Sequence, residues 1–217
     1  MSLAQSLERR IEQLVEGIGS KVFRGRLHPV EVAIRIVREA ELSMTQSGVG
    51  PVVPNQFTVS VNPSDLGEDA ADTVVRLNAV VSEAAAERGW RLEGPPTVTL
   101  LADPQVGPGS IVVESEVRPG GLDAWGHLVD AGGTQRVPIT KNRSLVGRSR
   151  RADVMVVEDS VSRAHALIWF DTGGVWVQDL ASSNGTRVNG SPITGATSLG
   201  DADVVSFGTA RFNFRRA

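Results

Sequence analysis

Apolar positions near the start of the chain recur every three or four residues. Leu3, Leu7, Ile11, Leu14, Val15, Ile18 and Val22 alternate with Glu8, Arg9, Glu12, Gln13 and Glu16, the pattern of an amphipathic helix. A second helix is predicted over 29–47. Pro29 suits its first turn, Val30, Ala33, Ile34, Val37 and Ala40 mark one face, and Val32 and Ile36 widen that face. The stretch from Phe23 through Arg24, Gly25 and Arg26 to Leu27 would close the two into a hairpin. His28, just before Pro29, reads as the residue that starts the second helix and not as a chemical group.

Beyond a Gly/Pro-rich loop over 47–55 the period changes from helical to alternating. Phe57, Val59 and Val61 are separated by Thr58 and Ser60, which predicts a strand ended by Asn62 and Pro63. A third helix is predicted from Ser64 or Asp65 to Arg88, with Gly89 in place for a left-handed cap. Strands follow over 97–102 and 110–117. The order ααβαββ describes a small α+β domain with a three-stranded sheet. Arg118, Pro119, Gly120 and Gly121 then break the pattern. After them come nine strands, over 124–130, 135–139, 144–147, 153–157, 164–170, 175–179, 186–188, 204–207 and 209–216. Their spacing near ten residues, with no helical period, predicts an all-β sandwich. The expected division is a domain over 1–117, a tether over 118–123 and a sandwich over 124–217. Trp169 and Trp176 fall in neighbouring strands as packing residues.

Composition narrows the chemistry. The 217 residues include no cysteine, which removes disulfides, thiolate metal ligands and cysteine nucleophiles and suits a reducing compartment. The N-terminus is charged where a signal peptide needs an apolar core, and no run reaches the roughly 18 apolar residues of a membrane span. A cytoplasmic protein is expected. The net charge of −3 hides an asymmetry: residues 1–117 hold 10 basic and 16 acidic side chains, residues 118–217 hold 12 and 9. The acidic half argues against nucleic acid, and the basic half favours an anionic ligand. No P-loop occurs, and the two glycines near Gly48 lack the third of a dinucleotide fingerprint. No cofactor and no metal are expected.

The candidate chemistry lies in four short stretches at strand ends: Gly147-Arg148, Ser162 to His165, Ser182 to Thr186, and Asn189-Gly190. In a sandwich these loops can converge on one rim. A phosphate monoester carries about −1.5 to −2 charges at pH 7 and three strong acceptors, so its site wants fixed donors and a planar guanidinium. Arg148, Arg163, Ser162 and Ser183 are donors of that kind. Asn184 can donate and accept at once, which suits it to hold a peptide backbone. Ser162 and His165 could suggest a nucleophile and its base, but no Gly-x-Ser-x-Gly elbow is present and no acid is placed to orient the ring. Asn189-Gly190 reads first as a tight hairpin turn. Arg150 and Arg151 read as solvated residues that raise the local potential.

In order and spacing these motifs resemble the forkhead-associated (FHA) signature, over about residues 123–217. The resemblance implies an eleven-stranded sandwich that binds phosphothreonine peptides on its apical loops, as phosphopeptide readers do. It implies that Arg148 pairs with the phosphate, that Ser162 donates to it, that Arg163 assists, that Ser183 touches it and that Asn184 holds the peptide backbone. It further implies that Gly147, His165, Gly185, Thr186 and Asn189 shape or prop the loops, and that the threonine methyl is read against phosphoserine. Residues 1–117 resemble the domain of unknown function that precedes an FHA domain in actinobacterial proteins of the serine/threonine kinase and cell-wall cluster. That likeness rests on the opening residues and on the HPVEVA stretch at His28. Between such domains the family often has a long low-complexity linker, almost absent here. The function expected is a non-catalytic phosphothreonine adaptor in kinase signalling. Its partners would be a Ser/Thr kinase, its substrates or membrane-associated cell-wall proteins, which could draw it to the inner face of the membrane. A constitutive scaffold acting through residues 1–117, with an unnamed partner, is the alternative.

Overall fold

In the computed structural model, residues 3–15, 23, 27–67 and 71–217 are described. Two compact units arise, one of Met1–Gln46 and Pro51–Gly120, the other of Ser47–Gly50 and Gly121–Ala217.

The first unit begins with α1 (Leu3–Val15) and α2 (Pro29–Leu42). Ile11 and Val15 are buried; the proposed continuation of the stripe through Ile18 and Val22, and the linking Arg24, Gly25 and Arg26, lie outside the described residues. His28 is the N-cap of α2, its Nδ1 accepting from Val30 N–H at 3.3 Å. The buried face of α2 is Pro29, Val32, Ala33, Ile36, Val37 and Ala40, so Ile34, 42% exposed, does not belong to it. The helix also ends earlier than its pattern predicts. Ser43 caps it by donating from its N–H to Glu39 O, and the chain then folds into a hairpin of β1 (Thr45–Ser47) and β2 (Gly50–Val52), joined by a turn over 48–49 after which Gly50 has φ +117°.

Then come β3 (Gln56–Val61), α3 (Ala71–Arg88), β4 (Thr97–Ala102) and β5 (Ile111–Glu116). The helix α3 starts later than Ser64: Asn62 Oδ1 accepts from the N–H and hydroxyl of Ser64, locking a turn there. Residues 68–70, also within the predicted helix, lie outside the described set. At its other end Gly89 is left-handed, φ +65°, and Trp90 N–H returns to Ala85 O. The sheet order is β4-β3-β5, β4 parallel and β5 antiparallel to β3. Phe57, Val59, Val61 and Val98 share one core with α1, α2 and α3.

The second unit contains β6 (Gly126–Asp130), β7 (Arg136–Ile139), β8 (Arg143–Gly147), β9 (Val154–Met155), β10 (Ala166–Asp171), β11 (Gly174–Asp179), β12 (Thr186–Val188), β13 (Ser191–Pro192), β14 (Thr197–Ser198), β15 (Val204–Phe207) and β16 (Ala210–Arg216). These form a five-stranded sheet, β14-β11-β10-β8-β9, and a six-stranded sheet, β13-β12-β15-β16-β6-β7. Val146, Ile168 and Val177 of the first meet Leu128, Val205, Phe207 and Phe214 of the second in one core. Trp169 and Trp176 face each other across β10 and β11.

One register positions the site. Ala166 is paired with Val146 on one side and Asp179 on the other. The chain therefore leaves β8, enters β10 and leaves β11 at a single end of the sheet.

Candidate functional site

Three loops meet at that end. Gly147 closes β8 and Arg148 follows it. A Cβ on Gly147 would lie 2.2 Å from Arg163 O and 3.1 Å from Ser162 O, so the backbone of the Ser162–Arg163 segment occupies the space a side chain would need. Arg148 N–H donates to Ser162 O at 3.1 Å, and Val156 N–H to Gly147 O at 3.0 Å. Only glycine lets the arginine loop and the serine loop come this close.

His165 ties the same segment to the third loop. It is fully buried. Its Nδ1 accepts from Ser162 N–H at 3.0 Å, which requires that nitrogen to be bare, so Nε2 carries the proton and donates to Gly185 O at 3.2 Å. Burial pushes the imidazole pKa below its ordinary value, more than the Gly185 carbonyl and the Asp179 carboxylate push it up. Its ring and that of Phe207 pack nearly perpendicular, 83° apart in plane, with centroids 5.6 Å apart.

Sequence reasoning missed Asp179. Its carboxylate accepts from the Ser182 hydroxyl at 2.6 Å, the Ser182 N–H at 2.9 Å and the buried Thr186 hydroxyl at 2.7 Å. Burial alone would raise its pKa, but these donors and the nearby His165 outweigh it and hold the carboxyl below its usual range. Ser182 Oγ in turn accepts from Gly185 N–H at 3.0 Å, and Gly185 is left-handed at φ +72°. A signal for this was present in the chain: an Asp followed three residues later by a serine is the composition of a side-chain-closed turn.

An acid therefore does lie near the ring, Asp179 Oδ1 3.9 Å from His165 Nε2. The set is still not arranged for nucleophilic catalysis. The imidazole takes its bond from the Ser162 backbone, while the Ser162 hydroxyl oxygen accepts from Ser183 N–H at 3.1 Å. With that lone pair engaged, the Ser162 O–H is left to donate outward.

The remaining residues sit around this frame. Ser183 and Asn184 are exposed. Asn184 donates one amide N–H to Ser160 O at 2.8 Å, which orients the amide; its Oδ1 and second N–H have no partner among the described residues. Ser160 Oγ is held by the N–H and hydroxyl of Thr209, another anchor not legible beforehand. Arg148 and Arg163 are exposed and form no ion pair among the described residues. Asn189 lies elsewhere. It turns β12 into β13 with φ +50°, followed by Gly190 at φ +85°. Its side chain binds Asp203 and Val204 N–H, and it shares no bond with the Arg148, Ser162 and Ser183 group.

Comparison with known proteins adds to this geometry. Residues 4–114 match the family described as FhaA, N-terminal domain, and residues 145–208 match the FHA domain. The transcriptional regulatory protein EmbR of Mycobacterium tuberculosis is 28% identical over 155 residues, covering 70% of this chain and 37% of EmbR. An FHA domain-containing protein of Arabidopsis thaliana is 41% identical over 66 residues, 29% of this chain and 17% of its own. The chain thus spans little more than a third of the length of EmbR. Among solved structures, Mycobacterium tuberculosis EmbR in complex with a low-affinity phosphopeptide is 32% identical over 43% of this chain and 25% of that one, with a TM-score of 0.40. The FhaA FHA domain complexed with the intracellular domain of Rv3910 is 29% identical over 42% of this chain and 98% of that one, with a TM-score of 0.38.

Proposed function

Because the chain belongs to the FhaA N-terminal-domain family and carries an FHA domain after it, we propose that it is a non-catalytic adaptor that captures phosphothreonine-containing proteins. In this reading Arg148 pairs with the phosphate, with Arg163 adding charge. Ser162 and Ser183 donate hydroxyl bonds to it, and Asn184 holds the peptide backbone through its unused oxygen and N–H. Gly147, His165, Gly185 and Thr186 keep these groups in place, and Asn189 shapes the neighbouring turn.

One observation carries the reading. Ser183 N–H donates to Ser162 Oγ, beside an arginine, Arg148, that has no ion pair among the described residues, so a hydroxyl proton and a guanidinium are both available to an anion. Bonds to a charged group contribute about 1.5–3 kcal/mol each, and micromolar binding corresponds to about −8 kcal/mol. A few such bonds suffice after ordering costs. An oriented phosphothreonine library screened on the whole chain, then repeated with phosphoserine, tests it. Selection of phosphothreonine over phosphoserine is expected; equal selection sinks the threonine-specific part, and no selection sinks the whole.

Residues 1–117 serve in this proposal as an interaction module, 118–123 as the tether and 124–217 as the reader. The setting we propose is cytoplasmic Ser/Thr kinase signalling tied to cell-wall growth, the adaptor being drawn to the inner membrane face by its partners. No described helix is long and apolar enough to cross a membrane. A second reading, a constitutive scaffold acting through residues 1–117, is favoured by the uncovered face of the first sheet. There Leu101 and Val112 flank Ser60 in one row and stand 46% and 49% exposed. Pull-down with an Arg148→Ala chain separates the two: partners lost with the arginine belong to the first reading, partners retained to the second.

A further inference from the structure

The two edges of the sheet in the first unit differ. At the β4 edge the Asn78 side chain of α3 covers the strand, its Oδ1 accepting from Val98 N–H at 2.7 Å. β5 forms the other edge. All six of its residues pair with β3 in one unbroken antiparallel register, and in such a pair every second residue turns its N–H and C=O to the free side. Among the described residues, the side-chain bonds of β5 are those of Ser115 to Glu39 and of Arg118 to Glu116, and neither reaches its backbone. The strand has no proline, lysine or bulge, the usual means by which an open edge is closed.

Beside this edge α2 forms the wall of a groove. The Ser115 hydroxyl donates to Glu39 Oε1 at 3.0 Å, which holds the strand against the helix. Ile34, Arg35 and Arg38, on the flank of α2 that the core leaves outside, line an open cavity of about 390 Å³ together with Gly109, Ser110 and Ile111 at the start of β5. The loop entering β5 is fixed: buried Asp65 accepts from Gly109 N–H at 2.7 Å, and the Asn62 amide donates to Val106 O at 2.6 Å. Glu31 also lines the cavity, so two arginines stand against one glutamate and the lining is positive. This is unusual for the acidic half of the chain, where arginines are used internally. Arg10, Arg88 and Arg91 pair with Glu83, Glu41 and Glu93, and Arg76 donates to Leu14 O. Among the described arginines of this unit, Arg35 and Arg38 alone have no partner, and they stand exposed one turn apart.

We propose that the groove between α2 and β5 takes an extended acidic segment of a partner protein, which adds a strand to the free edge of β5 and places a carboxylate on Arg35 and Arg38. A small anion would use the guanidiniums and leave the edge unpaired; an extended segment satisfies both. Alternate side chains of an added strand point to one side, so the acidic residue is accompanied, two positions away, by an aliphatic one packed on Ile34 and Ile111. The inference rests on the reading of residues 1–117 as an interaction module, and gives that module its site and its class of partner.

The test selects a displayed library of random unphosphorylated peptides on the full chain, then titrates the strongest binder as a synthetic peptide. That peptide is expected to carry an acidic residue with an aliphatic one two positions away, and to shift amide NMR signals over 31–38 and 109–116. Methylation of alternate peptide nitrogens should weaken binding about tenfold or more, whereas methylation of those between them should change it less than about twofold. Arg35→Glu combined with Arg38→Glu, both at exposed positions and checked for fold by circular dichroism, should weaken it at least about tenfold. Affinity unchanged in the double variant, or a methylation series without alternation, overturns the groove. If the shifts then gather elsewhere on residues 1–117, the module reading survives; if no peptide binds those residues at all, both fall. Phosphatidylglycerol vesicles are the last arm: vesicle binding that needs Arg35 and Arg38, with no peptide selected, assigns the arginines to a membrane and overturns the proposal.

Discussion

The backbone N–H of Ser183 donates to the hydroxyl oxygen of Ser162 across 3.1 Å, joining positions 21 residues apart. A hydroxyl whose oxygen accepts in this way is restricted in where its own proton can point, and among the described residues no acceptor takes that proton. Replacing Ser162 by Ala removes the donor and leaves the Ser183 N–H to water. We expect phosphothreonine peptide affinity to fall about tenfold to a hundredfold, while stability changes by about 1 kcal/mol. Titration calorimetry and a thermal melt on the same variant check both halves.

Gly147 sets the distance between the arginine and serine loops. In Gly147→Ala the new methyl collides with backbone, not with a flexible side chain that could swing away. The expected cost is about 3 kcal/mol of stability, with binding lost because the Ser162–Arg163 segment must move. Urea unfolding gives the first number; a variant as stable as the natural chain would show that the segment yields freely.

His165 makes the sandwich acid-sensitive. Its folded pKa is depressed by burial, so as pH falls below the unfolded value of about 6.5 the unfolded chain takes up a proton that the folded chain refuses. Stability is therefore unaffected above that pH and declines below it, by at most about 1.4 kcal/mol per pH unit, until the folded pKa is reached. Asp179, also depressed, loses its contribution only below the ordinary aspartate range and does not overlap this window. His127 is shifted down too, by slight burial and by Arg136, so the measurement is made in a His127→Gln background. Unfolding free energies between pH 7 and 5 that stay flat would contradict the buried neutral imidazole.

Asp179 gathers three donors, one from the buried Thr186. Asp179→Ala strands them together. The expected loss is about 2–4 kcal/mol, with weaker peptide binding because Ser183 and Asn184 leave the same loop. Asp179→Asn, which keeps an acceptor oxygen, should recover part of both; no difference between the two variants would argue against the carboxylate as organiser.

The residues that speak for the site were legible in the chain, whereas the bonds that arm them were not. Glycine before arginine, hydroxyls and an amide at strand ends are local patterns. The Asn184 bond to Ser160 and the Ser183 bond to Ser162 span 24 and 21 residues and exist only once β8, β10 and β11 share a register. Nine strands were readable because alternation and turn residues bound them. β13 and β14 were not, being two residues each with no alternation to see. The end of α2 was misjudged for the opposite reason: Met44 to Ser47 carry nothing that forbids a helix, and the hairpin with Gly50–Val52 prevails through pairing. Ile34 fell on the wrong face because two overlapping stripes were plausible, and packing against the sheet selected the one through Val32 and Ile36.

Arg148 is the residue on which the account depends most. The direct measurement is calorimetric titration of one library-selected phosphothreonine peptide, and its unphosphorylated twin, into the natural chain and into Arg148→Ala. Micromolar or tighter binding of the phosphopeptide alone is expected, with a loss of at least about a hundredfold in the variant. Equal affinity of the two chains for the phosphopeptide, or equal binding of the unphosphorylated twin, would contradict it.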